Sequence, residues 1–321
     1  TFETGPNRIV ANGELDVANL EAVVPDRGPV APVNGRISWD VGRESGKPVA
    51  IRQAGLQIGS GKTMLAELSA RGELAVPLSA GTSKLTIRSP GMDLAGLEGL
   101  VVEPAEKKEA PAEEENEGAG TAESEPGDYE APLGDVHFIA DLDLRDIRYR
   151  NVHAAEWTGT VTVDHGVFRV DPMNVVVNDS EMAWQSSLDM TDPTPRYSVK
   201  GTVSPLSLTP FASSFAPELK DGIRGELADF SVDMSGSGTT PAAVVDGLSG
   251  TMKLQLTEFS LPSTGEKITQ LPGLNLLFIP FRLIARLSDF TPLKILPPKV
   301  LKIRENVAAV FEAATALSFG E

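Results

Sequence analysis

The chain has no cysteine, which excludes disulfide staples, thiolate metal centres and a cysteine nucleophile together. Histidine is nearly missing as well. His137, His153 and His165 are the only three, and none stands at the HxH or HxxxH spacing that zinc and iron sites usually show; no metal ligand set and no cofactor is expected. Aromatic residues make up 6%, with three Trp and three Tyr. Trp39, Trp157 and Trp184 therefore read as single core or edge positions, not as a platform for stacking sugars. No run of about 18 apolar residues is present to span a bilayer, and no signal peptide is recognisable. The first residue is Thr1, so the expectation is a piece of a longer protein whose membrane anchor lies outside these residues.

Positive charge is also scarce. Lys and Arg total 28 against 45 acids, a net charge of −17, which argues against a nucleic-acid partner, since phosphate binding needs a basic face. Much of the excess is local. Residues 103–130 hold eleven acids against Lys107 and Lys108, a net of −9, leaving about −8 for the remainder, ordinary for a soluble protein.

Catalytic motifs are equally thin. Ile58-Gly59-Ser60-Gly61-Lys62-Thr63 has the ending of a phosphate loop, but the position five before Gly61 is Leu56 and no crossover helix follows Thr63. A phosphate loop needs both features, so a turn between strands is expected. No Gly-x-Ser-x-Gly elbow occurs. The expectation is a protein without a catalytic constellation, not an enzyme.

What the chain does have is glycine and proline, 30 and 24 of them. They punctuate it at the short intervals that turn-rich β proteins need and helical bundles avoid. One phrase recurs: an apolar alternation, Gly, a small or charged residue, and a further alternation. It appears around Gly13, Gly72, Gly201, Gly225 and Gly250, the last three 24 and 25 residues apart. Recurrence of one small β unit predicts a long, repetitive sheet. Hydrophobic residues at 41% suffice for one large β domain or two smaller ones.

Residues 1–102 read as a first β-sheet unit, with alternation at Ile37–Val41, Leu56–Ile58, Leu74–Val76 and Leu85–Ile87, and one helical turn at Asp93–Leu97. Residues 103–133, rich in Glu, Pro, Ala and Gly, read as a disordered acidic loop. Residues 134–262 read as a second β unit. Val136, Phe138, Ala140, Leu142 and Leu144 share one parity, Ile147 and Tyr149 the other, so a β-bulge is predicted near Arg145-Asp146. A hairpin follows, Thr160–Val163 through Asp164-His165-Gly166 to Val167–Val170. Further strands are expected at Val175–Val177, Ala183–Met190, Tyr197–Val203, Gly222–Gly225, Phe230–Met234 and Thr251–Leu256, with short helices at Leu208–Phe215 and Ala242–Leu248. Residues 263–316 read as a helical and apolar capping segment. Within it Leu271–Leu287 reads either as a cap over the sheet or as a lid or membrane-surface stretch, and a helical spacing runs from Val300 to Ala314. Residues 317–321 look like the start of a truncated strand.

The apolar positions of the sheet leave two readings open: a dry core between two sheets, or an open curved sheet whose aliphatic side accepts acyl chains. On the second reading the groove-facing residues are Val136, Phe138, Leu142, Leu144, Val161, Val163, Phe168, Val170, Val203, Leu227, Val232, Leu254 and Leu256. The fold class expected is mainly β: an elongated, curved antiparallel sheet forming an apolar groove, with short crossover helices and a helical C-terminal segment.

The order of phrases over residues 134–261 resembles the AsmA-like family of bacterial envelope proteins. The resemblance is carried by Leu142–Tyr149, the hairpin Val161–Val170, Ser187–Met190, Tyr197–Val203 before Leu208–Phe211, Gly222–Leu227 with Met234–Gly238, and Leu248–Thr251. Gly13–Leu20 looks similar to an earlier unit of that family. Asn178–Glu181, where a Gly-containing turn would be expected, and the acidic insert at 103–133 depart from the pattern. The resemblance implies a periplasmic protein anchored in the inner membrane, a β groove that holds phospholipid acyl chains, and work in lipid transport and outer-membrane biogenesis. The alternative is an envelope scaffold that binds β-rich outer-membrane proteins by strand addition. A third, a secreted glycan-binding β module, would need exposed ring clusters.

Overall fold

The computed structural model describes residues 1–5, 7–21, 23–24, 28–29, 32–98, 100, 131, 133–215, 224–239, 243 and 246–260. The apolar stretch at 271–287, the helical spacing at 300–314, the closing segment 317–321, nearly all of the acidic loop and residues 242, 244 and 245 of the helix expected at 242–248 lie outside the described residues.

Among the described residues the architecture is one long, curved, open sheet. Its strands are β1 (Phe2–Gly5), β2 (Arg8–Leu20), β5 (Val33–Glu44), β6 (Val49–Ser60), β7 (Thr63–Leu74), β8 (Thr82–Asp93), β9 (His137–Tyr149), β10 (Val152–Asp164), β11 (Val167–Val177), β12 (Ser180–Asp189), β13 (Arg196–Val203), β14 (Leu206–Ser207), β15 (Arg224–Ser237) and β16 (Ser249–Ser260). A separate small hairpin is formed by β3 (Val23–Val24) and β4 (Gly28–Pro29). Two short helices, α1 (Leu94–Glu98) and α2 (Thr209–Phe215), interrupt the strands.

Neighbours in sequence are mostly neighbours in the sheet, in the order β1-β2-β5-β6-β7-β8-β9-β10-β11-β12-β13-β15, with β14 continuing the line of β13 and β16 outside β15. All pairs are antiparallel except one. β8 and β9 run parallel, from Thr82↔His137 to Asp93↔Arg148. A parallel pair needs a long connection, and here α1 and the acidic segment supply it. The β units expected at 1–102 and 134–262 therefore lie edge to edge in a single sheet.

Local chemistry explains most turns. The residues with phosphate-loop resemblance are the tight β6–β7 turn, with Gly61 at φ 58. His165 and Gly166, both at positive φ, close the β10–β11 hairpin, as the sequence predicts. The strand expected through Val76 stops at Leu74: the next amide, of Ala75, donates to Ser83 Oγ at 3.0 Å, and Pro77, which has no N–H to donate, stands two residues further on. The strands expected at 222–225 and 230–234 are one, β15 from Arg224 onward.

The phase slip near Arg145-Asp146 is present, with Asp146 at φ 48, but its form differs from the expected one-residue insertion. Arg145↔Glu156 and Ile147↔Ala154 keep one register, so β9 and β10 change parity together. The extra residue appears one strand further on, where Ala155 is unmatched against β11. On the other side, Ser89-Pro90 bulge from β8 opposite Leu68, a position where proline removes no ladder bond. A kink line thus crosses three adjacent strands at one level, and it keeps Met92, Ile147 and Ala154 on the same side as Ile87, Leu142 and Trp157.

Candidate apolar binding face

Strand pairing sorts the side chains into rows across the sheet. One row runs through thirteen strands: Phe2, Ala11, Val41, Ile51, Gly72, Leu85, Ala140, Val161, Val170, Ser186, Val199, Met234 and Gly250. Beside it lie Gly13, Trp39, Ala54, Ala70, Ile87, Leu142, Gly159, then Met173, Trp184, Gly201, Val232 and Met252 past the β11 bulge. A third row reads Leu15, Ile37, Leu56, Leu68, and beyond the β8 bulge Leu144, Trp157, Val175, Met182, Val203, Phe230 and Leu254. No acid, Lys or Arg interrupts any of the three.

The opposite face is the reverse. Its central row is Glu14, Ser38, Gly55, Ser69, Arg88, Asp143, Thr158, Asn174, Ala183, Thr202, Ser231 and Lys253. Ion pairs decorate it, most of them between strands: Arg36 with Glu14 and Asp16 at 2.7 and 2.6 Å, Arg52 with Asp40 at 2.6 Å, Arg145 with Glu156 at 3.0 Å and, within β9, with Asp143 at 2.7 Å, and Lys253 with Asp229. Arg52 holds the Asp40 carboxyl below the usual carboxylate range through its hydrogen bonds. Such exposed pairs add little to stability; their consequence is a face that stays in water.

The middle of the apolar face is covered. Leu94 and Leu97 of α1, together with Leu206, Leu208 and Phe211 at α2, join Leu144, Ile147, Trp157, Val175, Met182, Trp184 and Leu227 in one core cluster. Trp157 donates its indole N–H to Met173 Sδ and meets Trp184 edge-on at 6.2 Å. α2 is tied down by Ser214, whose Oγ accepts the Asn151 amide at 3.0 Å and whose carbonyl accepts Arg150 at 2.7 Å. The ends of the face are open. Leu15, Ile37 and Trp39 are 51%, 45% and 37% exposed at one end, Met252 and Leu256 46% and 37% at the other.

Twelve of the thirteen expected groove residues fall on this face. Phe138, Val163 and Phe168 form one cross-strand row, and Leu227 pairs with Leu256. Leu142, Val161, Val170, Val203 and Leu254 pack half-buried against the core cluster, while Leu144 and Leu227 are fully inside it. Val136 precedes β9 and belongs to no strand; its backbone serves the turn by accepting the His165 amide. Sequence reasoning missed the open N-terminal end, Leu15, Ile37, Trp39 and Leu56. Their alternation was visible, but only the parallel β8–β9 register puts them in line with the later strands. Compared with protein-family models, curated proteins and solved structures, the chain finds no match.

Proposed function

We propose that this chain is a lipid-handling segment of an AsmA-like envelope protein, held in the periplasm through an inner-membrane anchor outside these residues. Its apolar face acts as a groove along which phospholipid acyl chains pass between inner and outer membrane. The observation that carries this reading is the continuity of the uncharged rows. Thirteen strands at about 4.8 Å spacing make a track of roughly 55–60 Å along the sheet. Each methylene exposed to water costs about 0.8 kcal/mol, so a lipid moved across an aqueous space needs an apolar surface without gaps. The polar opposite face lets the same sheet stand in water.

A photocrosslinking amino acid at Leu15, Ile37 or Val163 of the full-length protein, in cells, tests this. Phospholipid adducts are expected from these three positions and not from Ser38, which faces the other way. Absence of lipid at all three, with the protein folded and expressed, would remove the reading. A second reading, a scaffold for β-rich outer-membrane proteins, is favoured by the twelve-residue edge strand β16, which pairs only with β15 among the described residues. A backbone edge of that length accepts an added strand, and adducts to protein from β16 without lipid elsewhere would favour it.

A further inference from the structure

The β10–β11 hairpin does something that linear spacing hides. It brings two of the three histidines of the chain onto one carboxylate. His137 opens β9 and pairs directly with Asp164 at the end of β10. His165 is the first residue of the turn, at φ 49, and its amide donates to Val136 O at 3.0 Å, which seats the turn over the start of β9. Asp164 Oδ1 lies 2.6 Å from His165 Nδ1 and 3.6 Å from His137 Nδ1. The two rings meet edge to face, centroids 6.1 Å apart and planes at 71°. One ligand atom from each of the three residues lies within 4.8 Å of the other two, and no second group of His, Asp or Glu side chains this close occurs among the described residues.

We propose that His137, Asp164 and His165 form a binding site for a divalent transition-metal ion of the zinc class, with water completing the coordination. Three atoms no more than 4.8 Å apart have a common point no more than about 2.8 Å from each, so movements under 1 Å reach zinc bond lengths of about 2.0–2.2 Å. Side chains half-buried or exposed at a strand end can make such movements. Two imidazoles and one carboxylate suit zinc or a neighbouring transition metal, whereas calcium and magnesium take all-oxygen sets. The His165 hydrogen bond, with help from the charges of His137, His165 and Arg169, keeps the Asp164 carboxyl below the usual range. Arg169, the nearby cation, also acts on Asp189. The site sits on the polar face, one residue from the Phe138↔Val163 pair. A bound ion would staple the hairpin turn to β9 at the margin of the apolar rows.

The test is a titration of the full 321-residue chain with Zn²⁺ alone, by calorimetry and by the ring-proton resonances of the three histidines. One equivalent should bind, and the His137 and His165 resonances should move while those of His153 stay. His137→Ala and His165→Ala should each weaken binding at least tenfold; His153→Ala should leave it unchanged. The resonance shifts need no variant, so they decide even if a substitution disturbs the hairpin. Binding of equal affinity in the His137→Ala/His165→Ala double variant would place the ion elsewhere on the chain and overturn the proposal. So would equal movement of all three histidines, or no binding.

Discussion

Individual residues show what the recurring glycine phrase is for. Gly72 has φ 146, and a Cβ there would overlap the backbone of Lys84 and Leu85 on the neighbouring strand. Gly13 has no such backbone demand. A Cβ on it would come within 2.5 Å of the Trp39 ring, which lies across it. The same letter in the repeat thus serves a backbone role in one strand and a ring seat in another, which is why the phrase was legible in sequence and its cause was not. Gly72→Ala should cost about 3 kcal/mol or more, because positive φ and a backbone clash coincide. Gly46→Ala, at φ 75 with open space around it, should cost about 1 kcal/mol. Urea unfolding of the two variants separates strain from clash, and equal losses would contradict the account. The tryptophans divide similarly. Trp157 and Trp184 are 4% and 8% exposed against 37% for Trp39. Acrylamide should therefore quench one class of emission strongly, and Trp39→Phe should abolish that class.

At the level of elements, the hairpins, the short helices and most strands could be read from alternation and turn residues, because those signals are local. Two features could not. The parallel join of β8 to β9 depends on a connection whose composition carries no distance, and register between strands is not written in either strand alone. Alternation did reveal the parity change at Asp146 but not that β9 and β10 share it, since that is a property of the pair. Pairing makes the kink line testable. Deleting Asp146 would turn either Ile147 and Tyr149 or Leu142 and Leu144 to the polar face, and the cooperative thermal transition in far-UV circular dichroism should be lost. Asp146→Gly keeps the count and suits φ 48. It should unfold cooperatively, having lost only the exposed contacts of Asp146 with Arg148 and His153. The cover over the sheet has its own test. Phe211, 3% exposed, ties α2 into the core cluster, and Phe211→Ala should destabilise by about 3–5 kcal/mol in urea unfolding.

For the whole molecule, the deciding property is that two faces of one sheet differ in chemistry over its full length. An ordinary sheet of this size would bury its apolar side under a second layer. Among the described residues, α1 and α2 cover only the centre, and the N-terminal end stays open at Leu15, Ile37 and Trp39. On the proposed lipid function, a charge placed there should block passage without unfolding the protein, because the position is nearly half exposed. Ile37→Glu puts a carboxylate into the third row, between Leu15 and Leu56. Ser38→Glu puts the same charge on the adjacent residue of the same strand, facing the polar row between Glu14 and Gly55. Both variants change the net charge equally, so any effect of overall charge on membranes cancels in the comparison. Desolvating a carboxylate beside a passing acyl chain costs several times thermal energy, and a barrier of only 1.4 kcal/mol slows passage about tenfold. Transfer of fluorescent phospholipid between vesicles by the full-length protein should therefore fall about tenfold or more for Ile37→Glu and stay within twofold for Ser38→Glu, with both melting temperatures near that of the parent. Equal transfer by the two variants would mean that lipid does not travel over this end of the face, whatever else the face binds.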